Sequence, residues 1–289
     1  MSELSSKDLK ASIDEFFIKS LYEENPTNIV LLDSIKSIMG MNLESINDEL
    51  LNFFSDNFDN NDKISLHLKE YDNLPEAMSV FNLQSSLLAK NLEESLKNVF
   101  YLSRVSDGMQ ILEFLLEFSL RYCSSSFRYI WHLIKFQKFL NGKYILESLN
   151  RSIILILEDS NVEFSNNSSK DIIWDDIFSL DFRNIDEVLL FYTIYKTEMI
   201  RDFYIKPLLK SRINYMIKKT SNKNILNVKS DQLNVGRIWI LNYLNSIIGK
   251  NLDSNELISM NYIRACLMLS SKKKEKQYLW SYLNNKLCN

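Results

Sequence analysis

The chain has 289 residues, 46% hydrophobic and 12% aromatic, with a formal net charge of −3. That composition excludes general disorder, and a folded chain of this size buries about three-quarters of its unfolded surface, enough for a core without disulfides or metals. Glycine (5) and proline (3) are both scarce, which excludes a turn-rich β fold and suits helices, whose interiors both residues break.

The first eight residues, Met1 to Asp8, are polar and contain no apolar h-region, so no secretory leader is expected. Leu9, Ile13, Phe16, Phe17 and Leu21 form a helical stripe over residues 7–21, broken at Pro26. A second helix is predicted over 29–39, stopping at Gly40, and a third over 43–54. Residues 57–62 read as a loop. Pro75 suits a first helical turn, and the pattern stays helical to Val105, as two helices, with Asp107-Gly108 as the next joint.

Residues 109–158 are the most apolar part and are expected to form the core. Three segments lie here, over 111–120, 127–140 and 144–157, with Asn141-Gly142 turning between the last two. Their apolar residues cover most faces, as in helices buried among others. The run 153–157 alone could be a strand, but its neighbours are helical. Residues 160–170 are the best linker. They divide an acidic N-terminal helical region, 1–159, from a basic C-terminal one, 171–289, expected to pack as one continuous helical unit. Further helices are predicted over 172–180, 185–204, 208–217 after a restart or kink at Pro207, 232–248 behind an Asp231 cap, 254–269 and 274–287. The fold class is therefore all-α, an irregular array of about a dozen helices with a solenoid-like or a closed-bundle arrangement. No 34-residue or ankyrin-type repeat is present, and no apolar run is long enough for a transmembrane helix.

Alanine is rare (4) and asparagine abundant (31). Alanine is the best helix former, so its scarcity follows base composition of an AT-rich gene rather than structural logic. Cys123, Cys266 and Cys288 are odd in number and far apart, which suggests no disulfide framework and a reducing, intracellular setting, cytoplasm or nucleus.

Catalytic patterns are few. His132 lies in the apolar run Tyr129 to Ile134 and reads as a core histidine rather than a general base; His67 reads as solvated. No zinc, di-iron, EF-hand or phosphate-loop spacing occurs. Asp171, Asp175 and Asp176 resemble part of a magnesium–pyrophosphate motif, but Ser179 stands where the next aspartate belongs; a charged first helical turn explains them. Glu113, Glu117 and Arg121 fall four apart and are expected to be the solvated stripe of their helix. No cofactor, metal or catalytic residue is assigned.

Charge is unevenly distributed. Residues 1–100 carry −10, residues 101–200 carry −4 and residues 201–289 carry +11. The ends either neutralise each other or meet partners of opposite charge. Candidate contacts to an anionic partner or nucleic acid are Lys210, Arg212, Lys218, Lys219, Lys223, Lys272, Lys273, Lys274 and Lys276, with Tyr204 and Tyr215 interleaved. Lysines opening a helix oppose its dipole, which suggests another use for them. The expected function is a non-catalytic scaffold or adaptor subunit of an intracellular protein complex. A nucleic-acid-binding subunit is the alternative, and an all-α enzyme with a degenerate acidic site comes third.

Overall fold

The computed structural model describes residues 6–41, 47–58, 62–72, 79–160, 174, 177, 184–216, 244, 253–271, 273 and 275–279. The protein is all-α, and no strand forms among the described residues. The helices are α1 (Ser6–Leu21), α2 (Thr27–Met39), α3 (Asn47–Phe58), α4 (Val80–Leu88), α5 (Leu92–Val105), α6 (Gly108–Tyr122), α7 (Ser126–Leu140), α8 (Ile145–Glu158), α9 (Ile185–Lys196), α10 (Asp202–Met216) and α11 (Ser254–Leu269).

The chain forms two compact units. The first takes Met1–Asp33, Phe58–Ser165 and Met199–Leu208; the second takes Ser34–Asn57, Asn166–Glu198 and Leu209–Asn289. The expected 160–170 linker lies almost wholly outside the described residues.

In the first unit α8 is the hub and packs on α1, α4, α5, α6 and α7. Every residue from Ile111 to Leu120 is buried, as are Ile153, Ile154, Leu155 and Ile156, so residues 109–158 do form a core and the ambiguous 153–157 run is helical. Close approach of α6 to α8 explains Gly108, because a Cβ there would meet Ile145 Cγ1 at 2.3 Å. Asn141 and Gly142 turn the chain between α7 and α8 with φ of 53° and 75°, left-handed values that glycine, and less often asparagine, adopts cheaply. In the second unit α9 packs on α11, and Trp174 stacks on Tyr195 with ring centroids 4.0 Å apart.

Caps set several helix starts. Asn91, Asp107, Asn184 and Asp253 each accept a hydrogen bond from a first-turn N–H. The start of α7 is capped from far away. Asp159 accepts the N–H groups of Ser124, Ser125 and Ser126, at 3.3, 2.8 and 2.7 Å, and the hydroxyl of Ser124. Burial pushes this carboxyl up, but the Ser124 hydroxyl and the Ser125 and Ser126 N–H groups outweigh it and hold it down at about 2. A depressed folded value means that its stabilisation is complete above the ordinary aspartate range and is lost as pH falls toward about 2. Replacing Asp159 with Asn is expected to cost about 1 kcal/mol at neutral pH, after discounting for solvent screening, and to flatten stability between about pH 4 and pH 2. Urea unfolding across that range checks this; an unchanged acid limb would contradict it.

Two expectations are corrected. The predicted 185–204 helix ends at Lys196, and a new helix begins at Asp202. Thr193 and Thr197 turn their hydroxyls back onto the carbonyls four residues earlier, a pairing that bends helices, and Arg201 bonds to α6. Of the restart or kink expected at Pro207, the restart is corrected: Pro207 lies inside α10, where it has no N–H to offer the Phe203 carbonyl.

Candidate functional site

Among the polar groups of the first unit, one cluster holds an exposed segment in place. Glu113 and Glu117 are one turn apart on α6, a helix whose buried residues surround them. They are not the solvated stripe that their spacing suggests. Glu113 is 2% exposed and Glu117 8%. Arg201 covers them. Its backbone N–H donates to Glu113 Oε2 at 3.0 Å, and its Nε and Nη2 donate to Glu117 Oε2 at 2.9 and 2.5 Å. Arg121 adds a longer contact to Glu117, 3.6 Å. Burial raises the Glu113 carboxyl above its ordinary range, and the Arg201 N–H works against that rise. The Arg201 guanidinium also lies over the rings of Phe114 and Tyr204, 5.3 and 4.9 Å from their centroids.

This clasp fixes a short segment that faces outward. Ile200 is 65% exposed and Phe203 83%, and Tyr204 beside them is also exposed. Phe203 and Tyr204 meet edge to face at 5.3 Å. Apolar side chains standing together on a surface mark a candidate interaction site.

The other candidates are spent internally. His132 and Asp33 are both fully buried; His132 Nδ1 lies 2.6 Å from Asp33 Oδ2, and Lys135 Nζ reaches the same oxygen at 2.5 Å. The reading of His132 as a core histidine agrees with this burial, but its partner, 99 residues away, had no sequence signal. In the second unit, Tyr192 and Ser270 donate to the buried carboxylate of Glu275, at 3.2 and 2.6 Å. Nearby, burial pushes the Cys266 thiol up to about 12, so it is a poor nucleophile. Cys123 and Cys266 are free thiols, both buried. No group of three or more metal-binding side chains occurs among the described residues.

The basic set divides. Arg212 is buried, Lys210 and Lys276 are half-buried, and Lys273 is exposed. A buried guanidinium is not placed to meet a large polyanion, so Arg212 leaves the set. Tyr204 and Tyr215 are exposed rather than facing the core. Lys218, Lys219, Lys223, Lys272 and Lys274 lie outside the described residues, as do Asp171, Asp175 and Asp176.

Compared with protein-family models, curated proteins and solved structures, the chain matches none. Among the described residues, no helix is long and apolar enough to cross a membrane.

Proposed function

We propose that the protein is a non-catalytic helical scaffold or adaptor, a subunit of a larger protein assembly, and that the segment carrying Ile200, Phe203 and Tyr204, at the start of α10, is its protein-docking surface. The observation that carries this reading is the clasp of Arg201 by Glu113 and Glu117, which holds exposed apolar side chains on a fixed backbone. A held aromatic binds at lower entropic cost than a mobile one, and interface energy concentrates on such anchors. The titratable groups that sequence offers for chemistry also support it. His132 is held by the buried Asp33, and Glu113 and Glu117 by the half-buried Arg201.

Replacing Phe203 with Asp is expected to remove a specific partner from the protein's native assembly while leaving the fold intact. Phe81→Asp is the control, since Phe81 on α4 is also largely exposed. Affinity capture with quantitative identification reads the result. A single protein lost with Phe203→Asp and kept with Phe81→Asp supports the reading; identical capture by both variants, or capture of nucleic acid with a steep salt dependence, contradicts it.

A further inference from the structure

We infer that Asn141 is a site of self-catalysed deamidation by the peptide nitrogen of Gly142, and that the turn between α7 and α8 gates the reaction. Of the 31 asparagines, this is the one followed by glycine. Ring closure brings the next residue's backbone against the asparagine side chain, an approach that a Cβ obstructs and glycine permits. Asn141 is exposed, and its side-chain amide has no hydrogen-bond partner among the described residues. A Cβ on Gly142 would meet nothing within 4 Å, so the turn stands open to solvent. Gly108 also follows a side chain able to close such a ring, but the Asp107 carboxylate there is held by Met109 N–H at 2.9 Å.

The chemistry needs water and a proton acceptor from solvent and nothing else. The Gly142 nitrogen gives up its proton and bonds to Cγ of Asn141. The bond from Cγ to Nδ2 breaks, and ammonia leaves with a proton from water. Water then opens the five-membered ring at either carbonyl, which yields aspartate or isoaspartate at position 141. The net change is amide plus water to acid plus ammonia.

The folded turn opposes this in two ways. Gly142 N–H donates to the Gln137 carbonyl at 2.9 Å, and Asn141 N–H reaches the same oxygen, so the attacking nitrogen is tied to the end of α7. Asn141 also has ψ of 42°. At that angle the Gly142 nitrogen stands opposite Cβ across the Cα–C bond, whereas the ring needs the two side by side. Reaction therefore waits for the turn to open. The buried Gln137 side chain resists opening, because its Nε2 donates across the turn to Tyr144 O and Ser148 Oγ, at 3.0 and 2.7 Å. Conversion also weakens what it passes through. The new carboxylate sits at the C-terminal end of α7, where the helix dipole is negative, and isoaspartate adds a backbone carbon to the turn.

Peptide mapping by mass spectrometry tests this on the full chain, aged in mildly alkaline buffer with and without guanidinium chloride. In denaturant, Asn141 is expected to convert before any other asparagine. Without denaturant it should convert at least roughly tenfold more slowly, since only the opened fraction reacts. Folded Gln137→Ala should convert at a rate between the two. Equal rates with and without denaturant, or another asparagine outrunning Asn141 in the unfolded chain, would overturn the inference. A folded Gln137→Ala that matches the wild-type rate would overturn it too; should that variant not fold, the wild-type comparison decides alone.

Discussion

Replacing Asp33 with alanine is expected to destabilise the first unit by about 3–5 kcal/mol, the range for removing one partner of a buried charged pair. Asp33 on α2 receives both His132 Nδ1 and Lys135 Nζ from α7, and neither Asp33 nor His132 reaches solvent. The substitution leaves a buried imidazole without its acceptor and a partly buried ammonium without its counter-charge. Asp33→Asn should cost less, because it keeps an acceptor and loses only the charge. The urea midpoint reports the difference, with the slope as a control for altered compactness. A loss under about 1 kcal/mol for Asp33→Ala would mean that the cluster is solvated and weak.

Arg201→Ala is expected to cost about 2–3 kcal/mol, since it strips the cation from the buried Glu117 carboxylate, while the backbone N–H that meets Glu113 stays. Arg121 remains, but at 3.6 Å from Glu117 it is a weak substitute. The second consequence is local. Without the clasp, amide exchange at residues 199–204 should accelerate well beyond that of α6, and binding through Phe203 should weaken as the turn loses its fixed backbone. Arg201→Lys should fall between, because an ammonium cannot reproduce the two guanidinium bonds to Glu117. Hydrogen exchange followed by mass spectrometry separates the cases. Unaltered protection at 199–204 in Arg201→Ala would show that packing, not the clasp, holds the turn.

Local signals in the sequence were largely reliable. Glycine and proline scarcity, the apolar centre at 109–158, the Asp107-Gly108 joint and the Asn141-Gly142 turn all reappear in the structure. Each depends on neighbours along the chain. The break between α4 and α5 was legible only as a division somewhere before Val105, because Lys90 adopts a left-handed φ of 52° that no glycine announces. The candidate site was not legible. Glu113, Glu117 and Arg121 have the spacing of a solvated helical stripe, and the same spacing serves a buried clasp once Arg201 arrives from 84 positions away. The end of α9 had the same cause, since that contact draws the chain out of the long helix that its periodicity suggests. Burial of Arg212 was hidden likewise, for a charge in a basic run looks like surface until its partners are known.

The protein-docking role of the 200–204 segment is tested most directly by placing a photoreactive phenylalanine analogue at position 203 in the living source cell. The reading predicts one discrete cross-linked protein species, lost when Arg201→Ala is introduced alongside. Cross-links to nucleic acid alone, or the absence of any adduct from this exposed position, would contradict it.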